Sequence, residues 1–102
     1  MLDLTAAVDY VLANRYRMGN RVAIAFLALV RERPSPKRRV QWDRLGMLFG
    51  ASHQSYVSAL LREMKRLDLI EYDPGVINDT GYLFHRVGPP PDRAFTGKPP
   101  RP

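Results

Sequence analysis

The segment from Val40 to Ile70 constrains the fold more than any other, because two helical apolar patterns meet there at a single glycine. Leu45, Leu48 and Phe49 recur at helical spacing, and Gly50 closes the pattern at a place where a helix end commonly needs a positive φ. Ser52 offers a hydroxyl to cap the next helix, which runs through Val57, Leu60, Leu61, Met64 and Leu67, spaced three and four apart. The opposite face of that second helix carries Gln54, Ser55, Ser58, Arg62 and Lys65 and no large aliphatic residue. A helix that is apolar on one side and polar on the other buries the first and presents the second, so this outer face is the candidate working surface.

Around this unit the chain divides into one domain over residues 1–87 and a proline-rich tail over residues 88–102. Leu4, Val8, Val11 and Leu12 trace one side of a first helix, with Asp3 or Thr5 available as its cap. Two roles stay open for it: a core or lid helix of the domain, or a helix through which two copies pair. Gly19-Asn20 marks a turn and offers a cap to a second helix over Asn20 to Arg33, apolar on more than one face and stopped by Pro34 and Pro36. Val40 and Leu45 form a hydrophobic staple around Gln41 in the capping slot, and Trp42 is a large anchor at the first turn of the third helix. Leu69 to Tyr72 and Tyr82 to Val87 read as strands, with turn chemistry at Asp73-Pro74-Gly75 and Asn78-Asp79-Thr80-Gly81. In the second of these strands Tyr82 and Phe84 share one side, and Leu83 and His85 the other. After Gly88, proline, glycine and charge leave only Phe95 to bury, which predicts a disordered or extended tail able to serve as a ligand for a protein partner.

Charge narrows the partner class. The chain carries 16 lysines and arginines against 10 acids, a formal +6, which favours an anionic partner. Arginine predominates, and its planar fork suits phosphate. Lys37, Arg38 and Arg39 form a basic run just before the third helix. The longest apolar run, Val22 to Val30, is about half of what a membrane span requires, and the chain opens without a secretory pattern, so the expected location is cytoplasmic and nucleoid-associated. With no cysteine, and with His53 and His85 far apart, neither a metal site nor a cysteine nucleophile is expected. The carboxylates are scattered and there is no glycine-rich phosphate loop. An enzyme is therefore not expected, nor any cofactor.

The order helix, turn, helix, strand, hairpin, strand is that of a winged helix. The stretch from Leu45 to Ile70 resembles the DNA-binding module of small bacterial and archaeal transcriptional regulators. Leu45 and Leu48, the Gly50-Ala51-Ser52 turn, Val57, Leu60 and Leu61, and the Leu67-Asp68-Leu69-Ile70 run carry the resemblance, which extends from Asn20 to about Val87. It implies an α+β, mainly helical chain: a three-helix core with a C-terminal β-hairpin, plus the extra N-terminal helix. It also implies double-stranded DNA as partner, with the helix over about 53–67 in the major groove and the hairpin against the backbone or minor groove. Carried onto this chain, the reading positions are Gln54, Ser55, Tyr56, Ser58 and Arg62, where Gln suits adenine, Arg suits guanine and Ser either. His53 faces a phosphate at the helix start. Lys37, Arg38, Arg39 and Arg44 complete the set as backbone contacts. Two features depart from the pattern: one residue more than usual lies between Gly50 and Val57, and the wing from Asp73 to Gly81 holds two aspartates and no cation. A carboxylate repels phosphate, so the wing is expected to clamp poorly. The competing reading, from another class, is a winged helix serving as a protein-interaction module within a larger assembly.

Overall fold

The computed structural model describes residues 3–75 and 81–89. The chain is α+β and mainly helical. Among the described residues four α-helices, α1 (Leu4–Ala13), α2 (Asn20–Glu32), α3 (Trp42–Phe49) and α4 (Gln54–Arg66), precede an antiparallel pair of strands, β1 (Ile70–Asp73) and β2 (Leu83–Val87). The expectations for the turn at Asn78-Asp79-Thr80 and for the tail beyond Pro89 lie outside the described residues.

Three helices build the core. α2 runs through the middle, with Phe26 and Leu29 fully enclosed; α3 brings Leu45, and α4 brings Val57, Leu61 and Met64. Both α3 and α4 pack on α2, and α4 leads through Leu67 and Leu69 into β1. Gly50 adopts φ 70° and ends α3, as its position in the pattern demands. α2 ends the same way without a glycine: Arg33 is left-handed at φ 53° directly before Pro34.

The turn between α3 and α4 is tighter than periodicity alone reveals. Ala51 N–H donates to the Gly46 carbonyl at 2.8 Å, and a Cβ on Gly46 would lie 2.5 Å from the Ala51 carbonyl oxygen. Only a residue without a side chain lets the turn fold back over α3 this closely. The extra residue noticed in the sequence moves the start of α4. Ser52 does not cap the helix; His53 is the capping residue, in extended conformation, and its side chain makes no capping bond. Asp3 does cap α1 through Ala6 N–H at 2.8 Å. Gln41 and Gly19 occupy the capping positions of α3 and α2 without side-chain bonds, and Asn20 is already helical.

A short third pairing closes the sheet. Val40 and Tyr82 exchange both backbone bonds, at 2.7 and 2.8 Å, so the loop before α3 lies against the hairpin. Gly81, at φ 88°, fits beneath Val40, where a Cβ would come within 2.9 Å of the Val40 carbonyl. Beside it, Arg39 donates to the Gly81 carbonyl at 2.9 Å and to the Asp73 carboxylate at 3.0 Å. A bulge between Glu71 and Tyr72 breaks the alternation: Glu71 pairs with Arg86 and Tyr72 with Phe84, leaving His85 as the extra, exposed residue. Phe84 and Val87, three apart, can thereby both face the core.

The first helix departs from expectation. Ala7, Tyr10 and Val11 are its buried residues, with Asn14 donating from its side chain to the Tyr10 carbonyl, whereas Leu4, Val8 and Leu12 are exposed. The face that docks on α2 is thus Ala7, Tyr10 and Val11, and the aliphatics Leu4, Val8 and Leu12 stay outside.

Two consequences follow for stability. Alanine in a helix interior ordinarily gains about 1 kcal/mol over glycine. At Gly46 the clash with backbone at 2.5 Å reverses the sign, and Gly46→Ala is expected to cost about 1–3 kcal/mol in urea unfolding. The Asp73 carboxyl is held below its ordinary value by the Gly75 N–H and by Arg39. A carboxyl depressed in the folded state contributes stability above its unfolded pKa and loses it as pH falls through the lower, folded value. Asp73→Asn should therefore melt at a lower temperature than wild type at neutral pH, with the difference closing only below the usual carboxylate range. A constant difference down to strong acid would show that the ion pair contributes nothing.

Candidate nucleic-acid interface

α4 places the candidate surface by its amphipathic spacing. With Val57, Leu60, Leu61 and Met64 turned inward, Ser55, Ala59 and Arg62 form one exposed ridge at steps of four and three, continued by Arg66. Gln54 is exposed beside Ser55, and His53 is exposed at the helix entry. The side chains of His53, Gln54, Ser55 and Arg62 make no hydrogen bond or ion pair with the described residues, which leaves their donors and acceptors facing solvent.

Two residues of the expected reading set are not available in this way. Tyr56 is half-buried and points towards α2, where Arg21 donates to its hydroxyl at 2.5 Å and lies 5.5 Å from the ring centroid. Ser58 is half-buried and shares a hydrogen bond of 3.0 Å with the Tyr82 hydroxyl. The reason is angular: Tyr56 and Ser58 flank the ridge on either side, within reach of neighbouring elements, while Ser55 and Arg62 crown it.

The basic residues divide in the same manner. Arg39 is committed to Gly81 and Asp73, and Arg44 to Glu32 at 2.6 Å. Arg86 joins Asp68 at 2.8 Å and donates to the Gly88 carbonyl, tying the exit of α4 to the end of β2. Arg66 pairs with Glu63, whose carboxyl is lowered mainly by that hydrogen bond. Lys37 and Arg38 are exposed in the loop after Pro36 and form no ion pair with the described residues. The loop runs alongside β2 rather than beside the ridge, since Pro34 and Pro36 share a groove with Phe84 to Val87.

The hairpin is joined to α4 through aromatic residues, a contact that spacing alone does not reveal. Tyr82 stacks obliquely on Tyr72 at 5.9 Å and holds Ser58, so the base of the hairpin is fixed to the middle of α4. Burial raises the Tyr72 hydroxyl, Tyr82 adds to the effect, and the positive charge of Arg62 opposes it; Lys65 lies 5.6 Å from the same ring. Arg62 and Lys65 thus place positive charge where α4 meets the hairpin. The Asp73 carboxylate is not the bare repulsive charge the sequence suggested, because Arg39 neutralises it at 3.0 Å. The signal for Tyr82 was present as a β-type aromatic at a strand start; the signal for Arg21, an isolated arginine 35 positions from its partner, was not. No family model matches the chain, and neither a curated protein nor a solved structure does, so the chemistry of the site rests on its own geometry.

Proposed function

We propose that the chain is a winged-helix protein that binds double-stranded DNA, with α4 entering the major groove and acting in gene regulation or as a nucleoid or replication accessory. The observation that carries the reading is the unpaired, exposed ridge of α4, with Gln54, Ser55 and Arg62 on a rigid helix in a chain of charge +6. The B-form major groove admits one α-helix. Gln54 has the paired donor and acceptor that match adenine, and Arg62 the fork that matches guanine. Ala59 keeps the centre of the ridge low, so the bases can come close, and offers a methyl to thymine. His53 and the first N–H groups of α4 supply backbone contacts at the helix start. Arg21 and Tyr82 act as supports, holding Tyr56 and Ser58 so that α4 keeps its orientation.

A second reading, a winged helix used as a protein-interaction module, is favoured by Ile24 and Met47, which stand 62% and 77% exposed on α2 and α3. Arg39, Arg44, Arg66 and Arg86 are also occupied by internal partners, which lowers the number of cations free for phosphate.

Fluorescence anisotropy with a labelled duplex separates the two readings. On the DNA reading, about 4–6 phosphates are neutralised per chain, and log K should fall against log salt with a slope of about −4 to −5. Arg62→Ala should weaken binding to a preferred duplex by about 1–3 kcal/mol while leaving the melting temperature within a degree or two. Equal losses on preferred and random duplexes would reduce Arg62 to a backbone contact. Absence of salt-sensitive binding would favour the module reading, in which Met47→Lys abolishes partner capture.

A further inference from the structure

α1 carries two apolar faces, and the fold uses one. Ala7, Tyr10 and Val11 pack on α2. On the other side Leu4, Val8 and Leu12 are 42%, 37% and 59% exposed, and Tyr16, just past the helix, is 71% exposed. Steps of four align Leu4, Val8 and Leu12 in one stripe along the helix. Single exposed aliphatics are ordinary on a protein surface; a row of three on one short helix is not.

The charge pattern of α1 selects the occupant. Asp3 and Asp9 are its charged residues, with no lysine or arginine before Arg15, and Arg15 and Arg17 follow its C-terminal end. Asp9 lies near the middle of the helix, so the segment runs from an acidic start at Asp3 to a basic close just past the helix, in a chain whose overall charge of +6 opposes self-association elsewhere. An identical helix laid antiparallel matches it: acidic end meets basic end, and the two macrodipoles oppose. A parallel copy would set Asp3 against Asp3 and Arg15 against Arg15.

We propose that the outer stripe of α1 is the seat of a second copy of this chain, packed antiparallel with Val8 at the two-fold axis. Leu4 of each copy then faces Leu12 of the other, and Val8 meets its own equivalent, the self-complementary arrangement that a two-fold interface requires. Asp3 falls opposite Ala13 of the other copy, and Arg15 lies two residues further along the chain, in the turn that follows the helix, within an arginine's span. Because α1 packs chiefly on α2, pairing through its outer face leaves the α4 ridge of both copies open. The dimer goes beyond the DNA reading and stands or falls without it.

The chain has no cysteine, so single cysteines report geometry on a silent background. Under mild oxidation Val8→Cys should cross-link to itself. Leu4→Cys alone and Leu12→Cys alone should not, since each lies about 12 Å along the axis from its equivalent, beyond disulfide reach. An equal mixture of Leu4→Cys and Leu12→Cys should cross-link to each other. Sedimentation equilibrium of the full chain should give a dimer that Leu12→Glu weakens at least about tenfold, at unchanged circular dichroism and melting temperature. Met47→Glu, on a different exposed apolar residue, should leave the dimer intact. A monomeric wild type at all concentrations overturns the proposal. So does dimerisation unaffected by Leu12→Glu or abolished by Met47→Glu, which would place the contact elsewhere. Cross-linking of all three cysteine variants alike would overturn the antiparallel arrangement.

Discussion

The approach of the Ala51 carbonyl to Gly46 governs most of what this chain presents to solvent. A backbone oxygen that would sit 2.5 Å from any Cβ at that point can be accommodated only by glycine, and the resulting turn fixes the angle at which α4 leaves α3. Once that angle is set, Val57 and Leu61 meet α2, and the Ser55–Arg62 side has nothing to face except solvent. Exposure of the ridge is thus a consequence of a steric allowance one helix earlier, and the polar residues on it contribute little to folding. Such a surface can carry recognition chemistry at low cost in stability.

The same separation runs through the cations. Arginines close to a carboxylate have become ties: Arg39 fastens the loop before α3 to Asp73 and Gly81, and Arg86 fastens the α4–β1 turn to the last residues of β2. These pairs are partly exposed, where individual ion pairs are worth little, yet each also donates to a backbone carbonyl and so fixes a loop that aliphatic packing does not hold. Among the described residues Arg62, Lys37 and Arg38 carry no ion pair, and neither do Arg15, Arg31 and Arg33 on other parts of the surface, so the free positive charge is dispersed rather than gathered at the α4 ridge. Binding that depends on it would draw on the shape of the α4 ridge as much as on charge.

Where the sequence was legible, one period governed an element. α2, α3 and α4, the end at Gly50, and the shared side of Tyr82 and Phe84 followed from spacing and turn chemistry, because for these residues burial is the dominant energy. It failed where contacts are long-range or geometry is set by backbone. The Val40–Tyr82 pairing joins the start of an expected strand to a residue with no strand pattern, the bulge at His85 resets a two-residue period, and Gly46 reads as an ordinary helix residue until the carbonyl above it is seen. Within the candidate site, the exposure of Gln54, Ser55 and Arg62 could be read from amphipathicity. The loss of Tyr56 and Ser58 to Arg21 and Tyr82 could not, since both partners come from elements distant in sequence.

α1 shows how apolar periodicity can mislead on direction. Two stripes compete for the interior, and the bulkier one, Leu4–Val8–Leu12, has more transfer free energy to gain. Yet the Ala7–Tyr10–Val11 face docks, which sets a fully enclosed alanine and a tyrosine ring, with the contacts they make, against the larger aliphatic area of the other stripe. Asn14 reinforces the choice: buried at 1% exposure, it satisfies its amide by donating to the Tyr10 carbonyl, so the polar group enters the interior already paired. A helix chosen inward for fit rather than for hydrophobicity necessarily leaves its stronger apolar face in water. That residual driving force is available to association, and in a chain this basic it can be used only where the contacting surface brings its own balancing acids, as Asp3 and Asp9 do on α1.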